Sequence, residues 1–150
     1  MNYKNIYLHY KGTLKHKAWV FLYTSQFALK LFWRGIIHDL SKFRWSEAEG
    51  FVRVIDQMPK HEFGSEEYKR CLRAIKPSID LHYSRNSHHP EFYTDKISGM
   101  SIIDVAEMFA DWRAASKRNK NPNLDRSLDS LQVRYGFSGI FKKMAKNSMK

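Results

Sequence analysis

Adjacent His38 and Asp39 stand in Arg34-Gly35-Ile36-Ile37-His38-Asp39-Leu40-Ser41-Lys42-Phe43, between an apolar pair and a short polar step. Imidazole and carboxylate are ligands that a borderline or hard divalent cation accepts, and neighbours on a turn can aim at one ion or at two adjacent ones. A histidine hydrogen-bonded inside a core satisfies the same dipeptide. Further candidates lie on both sides: His16 before it, then His82, the pair His88-His89, and Asp111. Each falls on a different helix or on a turn between helices. Helical bundles collect inward-facing ligands on an ion in this way.

The elements that must position these residues read as helices. Over 13–32, Leu14, Ala18, Phe21, Leu22, Ala28, Leu29 and Phe32 recur at helical spacing without a proline, which predicts a long amphipathic helix carrying His16 and broken at Gly35. Ser46 followed by Glu49 has capping-box spacing and opens a helix toward Met58, with Pro59 as its end and a loop over 60–64. Ser65 with Glu66 and Glu67 starts another, which Pro77 should kink or split. Arg85-Asn86-Ser87-His88-His89-Pro90 is a polar turn in which Pro90 keeps His89 out of helical geometry; the same turn can simply cap a helix. Ser101 with Asp104 opens the next helix, where Asp104, Glu107 and Asp111 fall on one stripe and Asp104 is the capping partner. A turn over 119–123 precedes helices 124–134 and 139–146, separated near Gly136. The expectation is all-α, one domain, with Trp19, Phe27, Trp33, Phe51 and Trp112 read as core.

Composition narrows the class. With 43% hydrophobic and 15% aromatic residues in 150, the chain buries one core, and no uninterrupted apolar run is long enough to span a bilayer. No signal-peptide pattern opens it, and Cys71 is the only cysteine, so an intrachain disulfide is excluded and a thiolate metal site lacks ligands. A cytoplasmic protein without a membrane partner is expected. The formal charge of +11 favours an anionic partner: a nucleotide, a nucleic acid, a phosphorylated metabolite or an acidic lipid. Lys142, Lys143, Lys146 and Lys150 contribute to it as a basic C-terminal helix end. His9 and His61 read as surface residues.

The order His, His-Asp, distant Asp resembles the HD-domain superfamily of metal-dependent phosphohydrolases. More narrowly, the dipeptide segment, Asn86-Ser87-His88-His89-Pro90-Glu91-Phe92-Tyr93 and Glu107-Met108-Phe109-Ala110-Asp111-Trp112 together resemble small bacterial and phage HD-like proteins of unassigned substrate. The resemblance spans roughly 14–115, with 124–150 as a helical extension. It implies an HD-like helical bundle with a central metal site, in which His16, His38, Asp39 and Asp111 hold one divalent cation. The extra histidines resemble the binuclear members, so His82 with one or both of His88 and His89 would hold a second ion bridged by Asp39. The Gly-Tyr-Pro signature of the cyclic-dinucleotide phosphodiesterases is absent, and Ser41 stands where they have glycine, so their substrate does not carry over.

The implied chemistry is attack of a metal-activated water on a nucleotide or other small phosphoester, with Lys42 and Arg85 as phosphate contacts. Lys42 can equally be a surface lysine. Glu107 is a candidate general acid/base or a partner of a ligating histidine. Mixed nitrogen and oxygen donors favour Mn, Fe, Co, Ni or Zn over Mg alone. Two other functions fit the same residues: a basic nucleic-acid-binding or regulatory protein on the helical scaffold, and a di-iron oxygenase.

Overall fold

A computed structural model of the chain describes residues 2–61, 64–117 and 123–149, and it is all-α, with no strand among the described residues. Its α-helices are α1 (Tyr3–Ile37), α2 (Trp45–Val54), α3 (Glu66–Ala74), α4 (Lys76–Arg85), α5 (Ile102–Ser116), α6 (Leu124–Tyr135) and α7 (Gly139–Ser148). Short 3-10 turns at Leu40–Phe43, Met58–Lys60, Pro90–Phe92 and Lys96–Gly99 link them. The chain divides into two compact units, Met1–Ile36 and Ile37–Lys150.

The first unit is α1. It starts ten residues before the expected helix and passes straight through Gly12 and Gly35, neither of which takes a positive φ. An interior glycine costs a helix only about 1 kcal/mol relative to alanine, too little to break one flanked by Leu31, Phe32 and Trp33. The chain turns instead at Asp39, whose φ of 57° and ψ of 16° lie in the left-handed region. An amphipathic helix with a core face was expected, but no residue of α1 is buried. Trp19, Val20, Phe21, Leu22 and Tyr23 are consecutive, and at about 100° per residue they surround the axis rather than line one face. Trp19, Phe27 and Trp33, expected in the core, are exposed. No helix among the described residues is long and apolar enough to cross a membrane.

The second unit packs around two apolar clusters. One joins Val54, Cys71 and Ile75, with Phe51, Met58 and Ile79 against them, and holds α2, α3 and α4 together. The other joins Met108, Phe109, Leu128, Ala145 and Met149, with Trp112 and Phe141 against them, and holds α5, α6 and α7. Local signals set most boundaries. The Ser65 side chain accepts from the Tyr68 amide at 3.1 Å, Pro77 falls in the first turn of α4, and Gly136 ends α6 at φ 66°. Helix α2 departs from expectation: it starts at Trp45 on an Arg44 N-cap with no side-chain cap, so Ser46 and Glu49 form no capping box, and it ends at Val54. The expected turn over 119–123 falls mostly outside the described residues.

One close approach governs the site. On α2, Glu47, Gly50, Phe51 and Val54 share a face by their three- and four-residue spacing, as Ser78, Ile79 and His82 do on α4. A Cβ added at Gly50 would stand 2.2 Å from the Ser78 Oγ and 2.6 Å from its Cβ. Glycine there lets the two helices meet closely, which brings Glu47 to His82.

Candidate metal centre

Asp39 leaves α1 in a left-handed conformation that asparagine and aspartate tolerate better than most residues. Its carboxylate lies among four histidines. Oδ1 is 3.3 Å from His82 Nε2 and 3.4 Å from His88 Nε2, while Oδ2 is 3.4 Å from His38 Nε2. His38 Nε2 also lies 3.6 Å from Asp111 Oδ1, and His89 Nε2 lies 2.8 Å from His82 Nε2. Two groupings result: Asp39, His82, His88 and His89; and His38, His88 and Asp111.

Two carboxylates turn the rings inward. Glu107 Oε1 is 2.9 Å from His38 Nδ1 and 3.3 Å from His88 Nδ1. Glu47 Oε2 is 3.1 Å from His82 Nδ1. An Nδ1–H donated to a carboxylate leaves Nε2 as the bare nitrogen, and in all three rings Nε2 is the atom that faces Asp39. Glu47 is fully buried, accepting from Ser41 Oγ at 2.8 Å and Arg85 Nη1 at 2.9 Å. Asn86 Nδ2 donates to Ser41 Oγ and to the His82 carbonyl.

The loop carrying His88 and His89 is anchored at both ends. Pro90 begins a 3-10 turn and His89 is extended, at φ −96° and ψ 130°. Asp104 caps α5 through Ser101, as its spacing predicts, and also accepts from Ser87 Oγ at 2.8 Å and the Tyr93 hydroxyl at 2.9 Å. Glu91 is held by Arg134 and by the Tyr135 hydroxyl at the end of α6.

The charges suit a cation. Burial pushes the Asp39 carboxyl up, but His38 and Lys42, whose Nζ is 2.5 Å from Oδ2, outweigh it and hold the group well below the usual range. Burial likewise acts against Asp111 and Glu47, and hydrogen bonds from His38, and from Ser41 and Arg85, keep both low. Burial, with Lys42 nearby, lowers His82; burial, with His88 and His82 beside it, pulls His89 down to about 3. Hydrogen bonds to Asp111, then Asp39 and Glu107, raise His38 to about 11. A cation held by His38 would have to displace that proton. The donor separations fit one, because ligand atoms about 2.1 Å from an ion stand about 3.0 to 3.4 Å apart in octahedral or tetrahedral arrays.

His38, Asp39, His82, His88, His89 and Asp111 are thus brought together, with Glu107 and Lys42 against them. His16 is not: it is exposed on α1 and belongs to neither grouping. Arg85, expected on phosphate, is engaged by Glu47 and by Ser46 Oγ at 3.2 Å. Glu47 itself went unread. Its signal was its place on the apolar face of Gly50, Phe51 and Val54, where a carboxylate needs partners.

The fold and site thus define an all-α protein with a partly buried histidine–carboxylate cluster. The chain belongs to a family of unknown function, DUF5662, whose model matches residues 5–149. No curated protein and no solved structure matches it.

Proposed function

We propose that this chain is a metal-dependent phosphohydrolase of the HD type, acting on a nucleotide or another small phosphate ester with one or two divalent cations. One observation carries the reading. Asp39 Oδ1 and His88 Nε2 are buried, 3.4 Å apart, and neither has a hydrogen-bond partner among the described residues. A buried polar atom left unpaired costs about 1–3 kcal/mol, and here two of them face each other beside His82 Nε2. A cation satisfies all three atoms at once.

The ligand set of this proposal is His38, Asp39, His82, His88, His89 and Asp111, without His16. Asp39 turns Oδ1 to His82 and His88 and Oδ2 to His38, so it would serve as a ligand beside either set of histidines. Mixed nitrogen and oxygen donors suit Mn, Fe, Co, Ni or Zn. A bound divalent cation supplies acidified water and neutralises charge on phosphoryl oxygens. The chain's own residues do the rest. Glu47 and Glu107 hold three imidazoles with Nε2 inward, and this holding role is the one assigned to Glu107 in place of general acid/base work. Lys42, half-buried beside Asp39, keeps that carboxylate ionised and stands ready for a phosphoryl oxygen. The net charge of +11 draws anionic substrates.

The test is hydrolysis of p-nitrophenyl phosphate and bis(p-nitrophenyl) phosphate, then of a nucleotide panel, by protein loaded with each candidate metal. Metal-dependent turnover that Asp39→Ala abolishes in a still-folded protein supports the reading. A loaded, folded wild type inert toward every phosphoester overturns it.

A further inference from the structure

On the Nδ1 side of His82 the second unit contains a cavity of about 330 Å³, lined by Leu40, Ser41, Arg44, Ser84, Arg85 and Phe92. Such a volume suits a small ligand. Ser41 forms part of its wall, and the Ser41 Oγ lies 3.4 Å from His82 Nδ1, the edge of that ring turned away from Asp39. The cavity therefore adjoins the histidine cluster without containing any of its metal-ligand candidates.

Its chemistry is one-sided. Two of the six lining residues are arginines and none is acidic. Arg85 directs Nη1 at Glu47 and Ser46, but a guanidinium carries five N–H donors, and this side chain is 34% exposed, so donors remain. Arg44 differs from its neighbours. Arg53, Arg73 and Arg134 each hold a carboxylate, whereas the guanidinium of Arg44 has no hydrogen-bond or ion-pair partner among the described residues. The nearby Glu91 is no competitor, being taken by Arg134 and Tyr135. The rest of the lining includes two exposed apolar side chains, Leu40 at 53% and Phe92 at 44%. An anion held by a guanidinium fork, attached to a flat apolar body resting on Leu40 and Phe92, complements every part of this surface.

We infer that this cavity is a binding site for a small phosphate monoester bearing an aromatic ring, its phosphate on Arg44 and Arg85 and its ring on Leu40 and Phe92. The site stands whether or not the neighbouring cluster holds metal.

The experiment titrates phenylphosphonate, which resists hydrolysis, into the full-length chain by calorimetry. Inorganic phosphate is the second probe, and metal content and circular dichroism are recorded on each sample. Expected is binding that weakens with salt, falls roughly tenfold in Arg44→Gln and several-fold in Phe92→Ala, and persists in Asp39→Ala. Inorganic phosphate binds more weakly than phenylphosphonate. Failure of wild type to bind overturns the inference. So does binding that Asp39→Ala removes and Arg44→Gln leaves intact, which locates the anion at the metal cluster instead. Equal affinities for the two probes overturn the aromatic part of the ligand. Metal present with no phenylphosphonate binding sinks this site and spares the phosphohydrolase reading; binding by a protein that stays empty after loading with every candidate metal does the reverse.

Discussion

Gly50→Ala is a small change with a large expected consequence. The new Cβ would meet Ser78 Oγ at 2.2 Å and Ser78 Cβ at 2.6 Å. Rotating the serine relieves the first contact but not the second, because the backbone fixes Cβ. Reaching an ordinary contact of 3.4 Å requires α2 and α4 to separate by about 0.8 Å. Overpacking of this kind costs about 1–3 kcal/mol, and alanine's better helix propensity returns about 1 kcal/mol, leaving a net loss near 1 kcal/mol. Ser78→Gly removes both offending atoms, after which the nearest remaining atom is Ile75 Cβ at 3.5 Å. In that background Gly50→Ala should stabilise the protein by up to about 1 kcal/mol. Urea unfolding of the wild type, both single variants and the double variant gives the coupling directly. The separation also stretches the 3.1 Å link from Glu47 to His82, so metal affinity should drop in Gly50→Ala and recover in the double variant. The same sign and size of effect in both backgrounds would refute the close-approach argument.

Other perturbations probe the site from different sides. Glu47→Gln keeps the shape but offers His82 Nδ1 a donor, which moves the ring proton to Nε2, the atom facing Asp39; metal affinity should fall about 10- to 100-fold by competition with a chelating dye. His16→Ala should leave bound metal unchanged, because that residue is outside the clusters. Asp104 gives a pH prediction. Burial pushes its carboxyl up, but hydrogen bonds from Ser101, Ser87 and Tyr93 outweigh burial and hold it below the usual range. A folded value below the unfolded one, about 3.9, means stabilisation that is complete above that pH and is lost as pH falls through the folded value. Urea midpoints of the wild type should therefore fall more steeply on acidification than those of Asp104→Asn.

What the sequence made legible was local. Ser65, Pro77, Ser101 with Asp104, and Gly136 act on amides within a few residues, and each marks its helix boundary where expected. Ser46 and Glu49 misled because capping requires a non-helical N-cap, and that conformation falls on Arg44, at φ −77° and ψ 131°. The dipeptide, the His-His-Pro turn and Asp111 were legible as candidate ligands because metal chemistry restricts which side chains can serve. The convergence of Nε2 atoms on Asp39 was not, since it depends on Glu47 and Glu107 reaching histidines 35 and 69 residues away. His16 fits the motif by its order along the chain, but it lies on α1 in the other compact unit and in neither histidine–carboxylate grouping.

Metal content most directly tests the central claim that the cluster is a cation site. Mass spectrometry on protein purified without added metal, and again after loading with Mn, Fe, Co, Ni or Zn, would be run on wild type, Asp39→Ala and His16→Ala. The account predicts one to two ions per chain in wild type and His16→Ala, and loss in a folded Asp39→Ala. A wild type that stays empty after every loading, or an Asp39→Ala variant that keeps its full complement, would contradict it.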